Sequence, residues 1–303
     1  MTDAPATNHA SAAATPDWVL APFEPGTGRA PSFVHIGGQR CGSSWMHRCL
    51  AEHPEVFTPE PKELHYFTRH HAMGDAWYRA RFTPGPGHKA WGESTPMYIS
   101  YEPAAAALHA INPACRLACC LRNPIDRAFS IFQLKRNTDM AGVTFEQVLD
   151  DNVDDVWDRG LYLKHIKRWI ELFGADALLI QIYDDLVKDD ARIVRELYAH
   201  IGVDAAYRPT WLGKTQNAVI MPGVQDKLKK SGMGWVIRKV RNSPVGPAIR
   251  RWNKSQKAQK AGSYQGMSTE TKARLAEFYK EPNAELGAFL KRDLSHWTPA
   301  EFR

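Results

Sequence analysis

No stretch of this 303-residue chain approaches the roughly 20 apolar residues that a membrane-crossing helix needs. Nor does a basic segment followed by an apolar core open the chain, so no secretory leader is expected and the protein reads as soluble and cytoplasmic. The five cysteines, Cys41, Cys49, Cys115, Cys119 and Cys120, contain no C-x-x-C pair, and their odd number argues against a full disulfide framework. Twelve histidines are present, yet none lies in an H-E-x-x-H pattern or at Cys/His ligand spacing, so no metal is expected. A further absence is more specific. Gly37 and Gly42 have the spacing of a nucleoside-triphosphate loop, but Ser43 stands where that loop carries its lysine.

What is present around that gap organises the chain. Phe33 to Ile36 reads as a short buried strand, followed by the glycine-rich turn Gly37-Gly38-Gln39-Arg40-Cys41-Gly42 and then a helix start at Ser43-Ser44-Trp45. A tight turn at a helix N-terminus presents backbone N–H groups and the positive end of the helix dipole, which is an anion site. Ser43 and Ser44 are expected to cap the helix through their hydroxyls. The only cation inside the loop is Arg40.

Further along, a second arrangement of the same kind occurs. Arg116 to Leu121 is a compact apolar strand that runs into Arg122-Asn123-Pro124, with Pro124 starting a helix and Ser130 eight residues beyond Arg122. Between the two, Pro61-Lys62-Glu63-Leu64-His65-Tyr66-Phe67 places Lys, Glu and His side by side. Such a cluster is a solvated loop unless the fold returns it beside the anion site. Lys89 to Pro96 reads as a strand ending in Glu93-Ser94-Thr95-Pro96, and Ala177 to Ile182 as another. Helices are expected over 75–82, from Pro103 to Ile111, from Gly160 to Phe173, from about Asp189 to Ile201, near Thr269–Lys280, and again after Pro282. Strands alternating with helices predict an α/β fold with a central parallel sheet flanked by helices. Arg40, Glu93 and Arg122 all follow strands, and ligands of such sheets bind at the strands' carboxyl ends.

Two segments stand apart by composition. Residues 1–30, rich in Ala, Pro, Thr and Gly, are expected to form a disordered tail before a single domain over 31–303. Lys227 to Lys260 holds eleven Lys or Arg and no Asp or Glu, leaving 28 basic and 33 acidic residues elsewhere. The basicity is therefore local. It suits an anionic acceptor, an anionic membrane surface or nucleic acid, against the alternative of a solvated insertion.

Gly37 to Ser43 resembles the 5′-phosphosulfate loop of sulfotransferases that use 3′-phosphoadenylyl sulfate (PAPS), and Arg122 to Ser130 resembles their 3′-phosphate motif. The nearest likeness is to the heparan-sulfate and Golgi carbohydrate sulfotransferase domain, and it covers about 31–221 and 266–297. The resemblance implies a P-loop-type sulfotransferase fold and transfer of a sulfuryl group from PAPS to a hydroxyl, less readily an amine, of a carbohydrate or glycolipid. It implies donor binding by Arg40, Cys41, Gly42, Ser43, Ser44, Arg122 and Ser130. Glu63 is implied as the base, with His65 as alternative and Glu93 as the competing carboxylate. Three positions depart from the family: Arg40 replaces the loop lysine, Ser94 replaces a second lysine, and Gln265-Gly266-Met267 stands in place of a late Lys-Gly-Arg loop. Arginine stays charged and stabilises a leaving phosphate without passing it a proton. The rival readings are a P-loop small-molecule kinase and a basic nucleic-acid-binding protein. No specific nucleic acid is expected.

Overall fold

A computed structural model describes residues 28–136, 138–214 and 267–302. The segment Lys227–Lys260, most of the expected tail, and Gln265-Gly266 lie outside the described residues. Residues 28–30 already lie against the domain. The Arg29 N–H donates to the Phe82 carbonyl, and the Ala30 carbonyl accepts from the Trp91 indole.

Five strands form one wholly parallel sheet in the order β2-β3-β1-β4-β5. They are β1 (Phe33–Gly37), β2 (Val56–Phe57), β3 (Ala90–Ser94), β4 (Arg116–Leu121) and β5 (Leu178–Ile182). The helices are α1 (Ser43–Glu52), α2 (Gly74–Arg79), α3 (Glu102–Ile111), α4 (Pro124–Lys135), α5 (Phe145–Asp150), α6 (Tyr162–Phe173), α7 (Tyr183–Lys188), α8 (Asp190–Ile201) and α9 (Thr269–Leu290).

Both faces of the sheet are covered, as continuous apolar strands require. Along β4, Leu117, Cys119 and Leu121 join Val34, Ile36, α3 and α6 in one core, while Ala118 and Cys120 join Phe33, α1 and α8 in another. A third cluster packs α4 and α5 against α9 through Phe129, Phe145 and Tyr279. All five cysteines are buried and free.

Two expectations are corrected, and one helix is found that was not expected. The closing helices near Thr269–Lys280 and after Pro282 are one helix, α9, with Pro282 inside it. Leu275, Ala276, Tyr279 and Leu286 are buried on both sides of the proline, so packing outweighs the one backbone bond that proline cannot make. The helix expected over 75–82 is the shorter α2. The helix expected from Asp189 is preceded by the separate α7, which starts directly at the end of β5.

β1 and β3 touch closely at Gly92, where a Cβ would lie 2.0 Å from the Phe33 carbonyl oxygen. No side chain can relieve a backbone clash. Gly92→Ala should therefore destabilise the protein by about 3 kcal/mol, at the upper end of overpacking costs. A denaturant midpoint unchanged from wild type would refute this close contact.

Candidate active site

The loop between β1 and α1 leaves its donors open. Gly42 is the N-cap of α1 with φ 93°, and no side chain caps the helix. The expected capping by the Ser43 and Ser44 hydroxyls is thus corrected. A Cβ on Gly42 would also meet the Leu186 side chain at 2.6 Å, so glycine is required on two counts. The N–H groups of Arg40, Gly42, Ser43 and Ser44 have no acceptor among the described residues. Several backbone donors at the positive end of a helix, uncommitted to protein acceptors, favour a bound oxyanion. Cys41 contributes backbone only. Its side chain is buried, its thiol donates to the Gln39 carbonyl at 3.3 Å, and burial pushes that thiol up to about 11.

The two strand-end motifs meet. Arg40 donates from Nε to the Ser130 hydroxyl at 3.0 Å, across 90 residues of chain. Arg122 donates to the Arg40 carbonyl at 3.4 Å, pairs with Asp126 at 3.6 Å, and lies over the Tyr183 ring at 5.0 Å. Burial, with the neighbouring Arg122 charge, lowers the Arg40 guanidinium below its ordinary value. Two guanidiniums crowded at a partly buried site favour an anion between them. The support behind them is specific: Tyr162 donates to the Arg122 carbonyl at 2.7 Å, Asn123 caps α4, and Arg159 donates to the Gln39 side chain at 3.0 Å.

The segment Pro61–Phe67 returns to the same sheet edge. Leu64 N–H donates to Glu93 at 3.2 Å and His65 N–H to the Thr95 hydroxyl at 3.4 Å, which fastens the segment to the end of β3, next to β1. Glu63 thereby lies at this end of the sheet, half-buried. It accepts from the Lys62 ammonium and faces His65 Nε2 at 3.3 Å. Burial raises the Glu63 carboxyl, but the His65 hydrogen bond and the Lys62 charge outweigh it and hold the group at about 2. Arg40, Glu63 and His65 all have positive φ, of 63°, 70° and 50°. Non-glycine residues held there cost free energy that packing must offset, and such residues cluster at functional sites.

Glu93, the competing carboxylate, has a different position. It is 1% exposed and accepts from Tyr78 at 2.8 Å, Tyr98 at 3.0 Å, Thr95 at 2.6 Å and the Leu64 N–H. Burial pushes its carboxyl up, and the four donors act against that. With its oxygens committed to protein donors, it serves as an anchor. Lys62, named in the sequence only as part of its cluster, and two residues that sequence reasoning did not single out also gather here. Lys62 lies on Glu63. His35 and His47 are buried between β1 and α1, with His35 opposite Ser94 in the strand register. An imidazole inside an otherwise apolar strand was the available signal for His35.

The chain is similar to known proteins in sequence and in fold. A model of the sulfotransferase domain matches residues 31–287. The chain is 29% identical over 187 residues to heparan sulfate glucosamine 3-O-sulfotransferase 6 of Homo sapiens, covering 59% of this chain and 54% of that protein. It is 25% identical over 286 residues to the bifunctional heparan sulfate N-deacetylase/N-sulfotransferase 3 of Mus musculus, covering 87% of this chain and 30% of that one. It spans about half the length of the 3-O-sulfotransferases it matches. Among solved structures, a sulfotransferase from Alicyclobacillus acidocaldarius shares the fold, with TM-score 0.63, 21% identity, and coverage of 88% of this chain and 98% of that one.

The two carboxylates should separate in stability measurements. Glu93→Ala leaves four buried donors without an acceptor and should cost about 3 kcal/mol or more. Glu63→Ala removes a partly exposed ion pair and should cost less than about 1 kcal/mol. Equal thermal shifts for the two variants would overturn the anchor role of Glu93.

Proposed function

Because this chain belongs to the sulfotransferase domain family, we propose that it moves a sulfuryl group from PAPS to a hydroxyl, less readily an amine, of an acceptor. Carbohydrate acceptors are the best supported class, since the relatives' names specify heparan sulfate. The observation that carries the reading is the clasp between Arg40 and Ser130, which joins two anion-binding strand ends on the edge that bears Glu63. A donor with a phosphosulfate at one end and a 3′-phosphate at the other needs two such sites. The neutral alternative, a pair of salt-bridged helix starts, accounts for the Arg122–Asp126 pair but not for the Arg40–Ser130 contact.

In this reading the N–H groups of residues 40–44 and the Arg40 guanidinium hold the 5′-phosphosulfate, while Arg122 and Ser130 hold the 3′-phosphate. Positioning and charge stabilisation supply most of the rate, as in phosphoryl transfer. Glu63 receives the proton of the attacking acceptor oxygen, and His65 holds and orients that carboxylate. The acceptor oxygen forms its bond to sulfur as the bond from sulfur to the phosphate oxygen breaks, the electron pair leaving on the phosphate. The kinase alternative lacks its lysine at Ser43, and the family match gives the nucleic-acid alternative no support.

Three measurements test the proposal. The protein should bind adenosine 3′,5′-bisphosphate much more tightly than 5′-AMP, and Arg122→Ala should weaken the bisphosphate by about 1.5–3 kcal/mol, the scale of a charged hydrogen bond. Equal affinities by calorimetry would remove the 3′-phosphate assignment. Glu63→Gln should leave nucleotide affinity nearly unchanged and lower turnover on a heparan-type acceptor about 10²–10⁴-fold. Near wild-type turnover in that variant, with Glu93→Gln inactive yet folded, would move the base to Glu93. Since Glu63 is held well below the ordinary carboxylate range in the free enzyme, kcat/KM for PAPS, which reports free-enzyme groups, should show no acid limb from Glu63 through that range.

A further inference from the structure

Lys62 has no part in the mechanism above, yet its surroundings are unusual for a lysine. Its side chain is only 16% exposed, and its ammonium lies on Glu63, the proposed base. On the same side of the sheet lie buried polar groups that have no partner among the described residues: both ring nitrogens of His35, Nδ1 of His47, and the Ser94 hydroxyl. His35 and Ser94 are direct register partners across β1 and β3, and both are fully buried. Burial first, and the Lys62 charge second, hold His35 at about 3 and His47 at about 4. Both imidazoles are therefore neutral at physiological pH, and Lys62 is the charge carrier of the group. The other cations here are braced by fixed partners: Arg40 donates from Nε to Ser130, Arg122 pairs with Asp126, and Arg159 donates to Gln39.

We propose that Lys62 is a catalytic residue that shuttles between Glu63 in the free enzyme and the sulfonate oxygens of bound PAPS. The proposal rests on the sulfotransferase reading. An ammonium has three donors, and Glu63 engages one face of it, so the sulfonate offers a second anionic acceptor. One displacement then has two effects. On the donor, the ammonium neutralises charge on the sulfonate during transfer, where Ser94 carries none. On Glu63, the loss of the ammonium removes a pairing that holds the carboxylate far too acidic to serve well as a base. Burial then opposes His65 alone, its hydrogen bond and charge, and the carboxylate becomes more basic than in the free enzyme. The balance of the transfer is unaltered: the acceptor proton goes to Glu63, the new bond joins acceptor oxygen to sulfur, and the released pair stays on the phosphate. His35 offers a buried lone pair towards which the ammonium can turn, and is a positioning group.

The test compares PAPS with adenosine 3′,5′-bisphosphate, which lacks the sulfonate, on the whole chain by calorimetry. Lys62→Met should weaken PAPS about tenfold, equivalent to about 1.4 kcal/mol, and leave the bisphosphate within about twofold. Lys62→Arg should recover most of the loss. In wild-type protein labelled at glutamate Cδ, the Glu63 carboxyl should rise by about one to three pH units with PAPS, the usual effect of losing an opposite charge. It should stay low with the bisphosphate. This second experiment needs no variant to fold. If PAPS binds but Lys62→Met weakens both nucleotides equally, or Glu63 does not move, the shuttle is wrong and the sulfotransferase reading survives. If neither nucleotide binds wild-type protein, both fall.

Discussion

The buried carboxylate of Glu93 is the constraint on which the Glu63-bearing end of the sheet depends. A charge placed among apolar residues is tolerated only when its lone pairs are filled, and four donors from three separate pieces of chain fill them here. Tyr78 comes from α2, Thr95 and Tyr98 from beyond β3, and the Leu64 N–H from the segment bearing Glu63. Around this knot the rings of Tyr66 and Tyr78 stack at 4.5 Å, and Phe67 meets both Tyr78 and Tyr98 edge-on. The hydrogen bonds fix direction and the rings exclude water, which strengthens each bond in turn. Glu63 and His65 can then hold left-handed backbone conformations because their neighbour Leu64 is tied at both its amide and its buried side chain.

The site divides its positive charge by chemistry. Arginines occupy the side where two anion motifs meet, and each is braced: Arg40 by Ser130, Arg122 by Asp126 and Tyr183, Arg159 by Gln39. A planar, permanently charged fork suits a fixed phosphate. The flexible ammonium of Lys62 stands at the other end, against the carboxylate. Fixed charge where a group must stay and mobile charge where one must change partner is a consistent arrangement for a transfer reaction.

Much of this was legible in the chain. The two strand-end motifs, their order, and the parallel sheet between them follow from periodicity and from residue types at helix starts, which are local signals. The Glu63 segment was legible only conditionally, because adjacent Lys, Glu and His read equally well as a solvated loop. Its meaning depends on the Leu64–Glu93 and His65–Thr95 bonds, which span 29 and 30 residues. Glu93 itself invited a catalytic reading, as a carboxylate at a strand end will. Its donors Tyr78 and Leu64 lie upstream on other elements, and no spacing rule connects them. Pro282 misled for the opposite reason: a strong local signal was overridden by burial of the same face before and after it.

The end of the described chain closes the site from behind. Asn123, at the turn that follows Arg122, donates its amide to the Trp297 carbonyl at 2.7 Å, and the Trp297 indole donates to Asp184 at 2.8 Å. Arg292 pairs with Asp185 beside it. Each of these contacts has one partner, Trp297 or Arg292, from a stretch well beyond α8 in the chain. During translation the sheet and its two motifs are complete by residue 201, yet the Asn123 amide has no acceptor until residue 297 has emerged. The nascent protein therefore passes through a stage with its sheet complete, the α9 cluster unformed and the turn after Arg122 unfastened. Assembly of the fold and readiness of the site are separated in time by about a third of the chain, as domains that form from the N-terminus onward allow.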